Sequence, residues 1–231
     1  MKIKILSWNI WCDCHFEAVS VFLKASKADI IGLQEVSLID PERDVVSLLK
    51  SMGYEYITGP AAEFTDNTNR HHVLNTALFS KFPIKESRIH PLRAGKRPSI
   101  AETRIQVGSK ELTVFSVHLK HAHQQFDEIQ YEQVKTVMGL LPPKHGIIMG
   151  DFNAIPDSTT LKTLTENYVH TDPTFSPTWS MYPEGCPVCK PDKLDTRLDY
   201  ILVSPDISFS SPEVGTSDGS DHLPISVLVE I

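Results

Sequence analysis

The chain has 231 residues, enough for one large domain or two small ones and for a core that needs no covalent staples. Hydrophobic residues make up 41% and charged residues 22%, which is ordinary for a globular protein and excludes a disordered or fibrous chain. A formal charge of −7 excludes a global basic field that would draw in nucleic acid, so any such partner must find a local basic groove.

In chain order, Lys2–Trp8 alternates like a strand from its first residues and lacks the apolar core of a signal peptide. No apolar run reaches the roughly 18 residues that span a bilayer. The chain is therefore expected to be cytoplasmic, with reduced cysteines and no stable membrane association. Phe16–Lys27 has helical period, with Val19, Phe22 and Leu23 on one face, and Asp29–Glu35 is a short buried strand ending in polar residues. Pro41 opens a helix that runs to about Met52. Strands follow at Tyr54–Thr58, Thr76–Ser80, Ile84–His90, Ile100–Val107 and Glu111–Leu119. A helix over about Gln124–Leu141 stops at Pro142-Pro143, and Gly146–Met149, Leu198–Val203 and Ile225–Ile231 complete the strands. Ala61–Val73 and the proline-rich Tyr168–Thr196 read as loops. Apolar periodicity resumes after each, so neither is a linker, and one domain over residues 1–231 is expected.

Polar residues gather where apolar strands end: Trp8-Asn9, Gln34-Glu35, His118, Gly150-Asp151-Phe152-Asn153, Asp199 and Ser220-Asp221-His222. Any one of them is an ordinary strand end or turn. Together they suggest one shared mouth, because open sheets place ligand sites beyond strand ends. Glu35 with other carboxylate and amide oxygens offers hard ligands suited to Mg²⁺ or Mn²⁺. Asp151 is placed to orient and deprotonate a water, Asn9, Asn153 and His222 to donate to phosphoryl oxygens, and His118 to serve the leaving oxygen. No nucleophile elbow, Walker loop or dinucleotide fingerprint accompanies them.

Ser7-Trp8-Asn9, Leu33-Gln34-Glu35-Val36, Ser116-Val117-His118-Leu119, Gly150-Asp151-Phe152-Asn153, Arg197-Leu198-Asp199-Tyr200 and Ser220-Asp221-His222-Leu223-Pro224 resemble the ordered motif set of the endonuclease/exonuclease/phosphatase superfamily. Asn75–Ile84 resembles its central strand pair, so the likeness runs essentially end to end. The resemblance implies the deoxyribonuclease I-like fold, a four-layered α/β sandwich of two mixed β-sheets packed face to face with flanking helices. It further implies Glu35 as principal metal ligand with Asn9 and Asp221, and Asp151 aligning the water. Asn153 would hold the phosphate, His118 would contact it or the leaving oxygen, and His222 would be oriented by Asp199. Two departures set the branch: Ile10-Trp11-Cys12 lacks the second acidic ligand of abasic-site nucleases, and Ala154-Ile155 after Asn153 departs from inositol 5-phosphatases. His118 is similar to the branch holding deoxyribonuclease-type enzymes, sphingomyelinases, deadenylases and tyrosyl-DNA phosphodiesterases. A metal-dependent phosphodiesterase is expected. A phosphomonoesterase, a phospholipid-headgroup hydrolase and a catalytically silent binding module are the alternatives.

The four cysteines fall in two pairs, Cys12-x-Cys14 and Cys186-x-x-Cys189, in loops flanking the motif strands. They are read either as plain thiols or as a Zn²⁺ site, or a disulfide, clamping the two loops together. Asn75, Trp11, Trp179 and Tyr182 are read as substrate-binding, the aromatics alternatively as a satellite core with Met181. His71-His72, His121 and His123 are expected at the surface, and Arg70, Arg93, Lys96 and Arg97 as solvated charge or a phosphate patch.

Overall fold

Strand β1 (Lys2–Asn9) shows how residue parity builds the layers. Ile3 and Ile5 enter a core between two sheets, while Leu6 and Trp8 enter a second core beneath helices, as a period of two requires. In the computed structural model, residues 1–38, 42–65, 71–92, 99–180, 182, 186 and 188–231 are described. After β1, a 3₁₀ turn (Trp11–Asp13) and helix α1 (Phe16–Ser26) lead to β2 (Ile30–Ser37). Then come α2 (Val45–Ser51), β3 (Glu55–Thr65), β4 (His71–Ser80), β5 (Ile84–Pro91), β6 (Ser99–Val107) and β7 (Lys110–His118). Helix α3 (Glu128–Leu140), β8 (Gly146–Asp151), α4 (Thr159–Leu164), β9 (Val169–His170), β10 (Asp199–Val203), β11 (Ser208–Val214) and β12 (Ile225–Glu230) finish the chain.

Two six-stranded sheets result, in the orders β11-β12-β1-β2-β4-β3 and β5-β6-β7-β8-β10-β9. Each is antiparallel except for one parallel pair, β1 with β2 and β7 with β8, and each of those pairs is bridged in sequence by a helix. The inter-sheet core unites Ile5, Ile30 and Leu78 with Val114, Met149 and Ile201. The outer face of the first sheet packs on α1 and α2 through Leu33, Val19 and Leu49, and that of the second on α3 and α4 through Phe115, Val134 and Leu161. The order helices, sheet, sheet, helices is the four-layered sandwich expected from the motifs.

Element boundaries differ from the sequence reading where capping decides them. Pro41 lies outside the described residues; α2 begins at Val45 because the Asp44 carboxylate accepts the Ser47 N–H at 2.8 Å. Likewise α3 starts at Glu128 and not near Gln124, since Asp127 caps the Gln130 N–H at 2.9 Å. The expected loop Ala61–Val73 is corrected at both ends, where β3 runs through to Thr65 and β4 starts at His71 with the two paired in a ladder; residues 66–70 lie outside the described ones. Three further elements escaped the reading: α4, the two-residue β9, and the exposed edge strand β11, whose Ser- and Pro-containing sequence carries no alternation.

Candidate active site

The face that is apolar in mid-strand turns polar toward one end of both sheets. On β1, Ser7 and Asn9 continue the inward row of Ile3 and Ile5; on β7, Ser116 and His118 continue Leu112 and Val114; on β8, Asp151 continues Ile147 and Met149. Register aligns these ends. His118 pairs with Asp151 across β7 and β8, and Asp151 with Asp199 across β8 and β10. Glu35 reaches the same mouth by a different device. Strict alternation after Ile31 and Leu33 would send it outward, but the β2–β4 register shifts between Leu33 and Val36, Val36 takes the outward place, and Glu35 adopts φ 58°. At Gly150 (φ 147°) a Cβ would stand 2.0 Å from the Val117 carbonyl oxygen, so glycine alone permits this approach of β8 to β7.

Asn9 links the two sheets. Its Nδ2 donates to Asp151 Oδ2 at 3.0 Å and lies 3.3 Å from Glu35 Oε1, while its Oδ1 accepts the Trp11 N–H at 3.1 Å. The Trp11 N–H fixes this amide orientation, so Asn9 presents hydrogens and not oxygen to the carboxylates. His118 Nε2 sits 3.5 Å from Asp151 Oδ2 and 3.9 Å from Glu35 Oε1. His222 Nδ1 hydrogen-bonds Asp199 Oδ2 at 2.8 Å, and its Nε2 lies 3.6 Å from Asp151 Oδ2, beyond hydrogen-bond reach. Ligand atoms of Asp151, Asp199 and His222 lie within 4.8 Å of one another.

Burial governs the protonation states. Desolvation lifts the Asp151 carboxyl to about 6 against the pull of His222 and His118. Burial alone would depress His222, yet Asp199, Asp151 and Asp221 together hold its pKa well above the usual imidazole value. Asp221 is raised by burial first and by Glu35 second, and its Oδ2 accepts the Trp179 indole N–H at 3.0 Å. Glu35 and His118 are the more open members, with side chains 19% and 15% exposed.

Several expected site residues serve other ends. Asn75 donates its amide to Val36 O at 3.1 Å and Val73 O at 3.3 Å, so it braces the bulge that aims Glu35; this corrects its reading as a substrate contact. Trp179 is buried with Cys186 and Leu198, which corrects the open-platform reading in favour of the satellite core. Trp11 and Tyr182 do form an aromatic surface, stacking at 5.3 Å, with His15 5.2 Å from Tyr182 as a third ring that the sequence did not signal. Gln34 and Ser116 bond each other at 3.1 Å inside the inter-sheet core, short of the mouth. Asn153 caps Asp151 Oδ1 through its backbone N–H at 2.8 Å and spends one amide hydrogen on Leu119 O at 2.9 Å. Cys12 Sγ meets Glu35 Oε2 at 3.4 Å, whereas Cys186 and Cys189 face His121 and His123; the expected four-cysteine clamp is not formed. Met181, Arg70, Arg93, Lys96 and Arg97 lie outside the described residues.

Sequence reasoning missed the supports behind Asp199 and His222. Thr178 Oγ1 donates to Asp199 Oδ2 at 2.6 Å, and Arg197, ion-paired with buried Asp172, donates Nε–H to the Asp199 carbonyl at 3.0 Å. Ser220 Oγ donates to Asn9 O at 2.7 Å and accepts the His222 N–H at 3.1 Å, and Trp8 Nε1 donates to His222 O at 2.9 Å. Trp8, Arg197 and Ser220 stood in the motifs without these roles, and Thr178 and Asp172 stood in none; each acts through a partner far along the chain.

The model of the Endonuclease/Exonuclease/phosphatase family matches residues 6–222. The chain belongs to that family. Members of the endonuclease/exonuclease/phosphatase family are typically phosphoesterase hydrolases acting on phosphate-ester or nucleic-acid substrates. No curated relative matches the chain. Among solved structures it is similar to a family member from Beutenbergia cavernae, 18% identical with TM-score 0.83, covering 100% of this chain and 72% of that one. It is also similar to the human Nocturnin catalytic domain, solved with a bound sulfate anion (18% identical, TM-score 0.72, covering 99% and 93%). A mannosyl-6-phosphatase from Bacteroides thetaiotaomicron is a third likeness, at 16% identity and TM-score 0.69, covering 99% and 100%. At these identities the likenesses show the fold, and the chain carries the deoxyribonuclease I-like sandwich. Among the described residues no helix is long and apolar enough to cross a membrane.

Proposed function

We propose that this chain, acting as one domain, hydrolyses a phosphodiester at a nucleic-acid end or in a small molecule, using a divalent cation and an activated water. The observation that carries the reading is Asn9 Nδ2 reaching both Glu35 and Asp151 while His222 Nε2 lies 3.6 Å from the same Asp151 oxygen. Carboxylates outnumber imidazoles there: Glu35, Asp151, Asp199 and Asp221 against His118 and His222. A hard dication suits that oxygen-rich excess of negative charge. Glu35, with Asp221 next to it electrostatically, would hold Mg²⁺ or Mn²⁺, which when bound supplies neutralisation of phosphoryl charge.

The remaining chemistry belongs to the chain's own groups. Asp151, raised to about 6, is ionised at neutral pH yet basic enough to take a proton from water. Asp199 orients His222 and sustains it as imidazolium, leaving its Nε2–H to donate to a phosphoryl oxygen as negative charge builds. Asn153 holds the second oxygen of Asp151, and His118 stands where a leaving oxygen can be protonated. His118 also supports placement in the deoxyribonuclease-like branch. The Trp11–Tyr182–His15 stack supports a substrate with a flat ring.

Hydrolysis of bis-p-nitrophenyl phosphate by chelator-stripped protein, with and without restored Mg²⁺ or Mn²⁺, tests the reading, with p-nitrophenyl phosphate as comparison. Turnover should require metal and favour the diester. Metal-independent turnover, or none on either ester, rejects the proposal, and a preference for the monoester reassigns the chain to phosphomonoesterases.

A further inference from the structure

Beyond the strand β7 that ends at His118, the chain turns through His121 and His123, and there it meets Cys186 and Cys189 from the segment entering β10. One imidazole nitrogen or thiol sulfur from each residue lies within 4.8 Å of all the others. Cys189 Sγ is 3.7 Å from His121 Nε2 and 3.5 Å from His123 Nδ1, and Cys186 Sγ is 3.9 Å from His123 Nδ1. We propose that His121, His123, Cys186 and Cys189 form a tetrahedral Zn²⁺ site, distinct from the phosphoesterase centre and independent of its assignment.

Three features carry this. The first is spacing: Zn–S near 2.3 Å and Zn–N near 2.05 Å at tetrahedral angles put ligand N and S about 3.6 Å apart, and the three separations bracket that value. The second is local backbone geometry. The Cys189 N–H points at Cys186 Sγ at 3.1 Å and the Lys190 N–H bonds the Cys186 carbonyl at 2.9 Å, a turn that brings both sulfurs to one side and stabilises a thiolate. The third is chemistry. Two sulfurs and two imidazoles make a soft, closed donor set that selects Zn²⁺ over Mg²⁺, the reverse of the oxygen-rich set around Glu35. His-x-His and Cys-x-x-Cys each supply a two-ligand arm from separate segments, as structural zinc sites do.

The consequence reaches the phosphoesterase centre through packing. Cys186 and Cys189 cluster with Trp179 and Leu198, and the His121 ring contacts the Trp179 ring edge-on at 6.3 Å. Trp179 in turn donates to Asp221, and its neighbour Thr178 donates to Asp199. A bound Zn²⁺ therefore fastens the segment that orients two carboxylates of the site to the end of strand β7.

Elemental analysis of the full chain, expressed with zinc and purified without chelator, should find about one zinc per chain. The C12S/C14S variant should keep it and C186S/C189S should lose it. Reduced apo protein titrated with Co²⁺ should develop thiolate charge-transfer and tetrahedral d–d absorption. In the same titration the first equivalent of metal should slow alkylation of Cys186 and Cys189 and leave Cys12 and Cys14 reacting as they do in the apo protein. This measurement uses the unmutated chain and stands if C186S/C189S fails to fold. Substoichiometric zinc with no cobalt bands, shielding of Cys12 and Cys14 by the first equivalent of metal instead, zinc surviving in C186S/C189S, or zinc lost in E35Q but kept in C186S/C189S would each overturn the assignment.

Discussion

His222 is poised by what surrounds it and not by its own intrinsic chemistry. Because Asp199 fixes its Nδ1 and three carboxylates hold it charged, His222→Ala should lower kcat by at least ~10²-fold while circular dichroism stays unchanged. Thr178→Val removes a 2.6 Å hydrogen bond to Oδ2 of Asp199, whose Oδ1 has no partner among the described residues, so a loss of about 10-fold in kcat with little change in KM is expected. The rate should rise with pH through about 6 as Asp151 loses its proton, and a flat profile across that range would remove Asp151 as the base. Asp13 gives a stability counterpart: it is buried, and burial raises its pKa to about 8 against the opposing pull of the Ser37 backbone and of Arg43. A pKa raised on folding adds stability that is complete below the unfolded value near 3.8 and is lost as pH climbs through about 8. Denaturation midpoints of the apo protein should fall across that window, and Asp13→Asn should flatten the slope. Asp151, Asn153 and His222 were legible in the sequence because each ends or follows an apolar row. Thr178 and Asp172 were not, since a threonine or an acid in a loop gains meaning only from a partner that folding brings alongside.

Alternation was the most readable property of the strands, and its interruption in β2 matters most. Sequence parity sends Glu35 to the helix-facing side with Ile31 and Leu33; only the register shift against β4 reverses it. Asn75 braces that shift through two backbone carbonyls. Asn75→Ala should therefore weaken metal activation, raising the Mg²⁺ concentration for half-maximal rate about 10-fold while leaving the saturating rate near normal. An unchanged metal requirement would show that the bulge holds without it. Gly150→Ala should cost upwards of ~2 kcal/mol in denaturant unfolding, because its Cβ would collide with the Val117 carbonyl at 2.0 Å. The facing ends of β3 and β4, within Ala61–Thr65 and His71–Val73, were misread as loop for a related reason: their backbone is satisfied across a ladder that local composition does not show. Exposed β11 gave no alternation to read.

At the scale of the whole molecule, the fold and the place of the mouth followed from the motif order, while the zinc-capable cluster did not. Two cysteine pairs suggested each other as partners, but neighbours in three dimensions are set by the turn after β7, which delivers histidines to Cys186 and Cys189 and leaves Cys12 beside Glu35. Removal of the divalent cation should lower Tm, since the carboxylates are then only partly offset by His222, and Glu35→Gln should shrink that difference. Scanning calorimetry with and without Mg²⁺ measures both.

Asn9 belongs to the first sheet and Asp151 to the second, and a single amide group spans the gap between them. The reactive centre is thus a seam, sensitive to any slippage of one half against the other. Activity should consequently vanish at urea concentrations where far-ultraviolet ellipticity is still native, making turnover an early reporter of sliding between two intact layers.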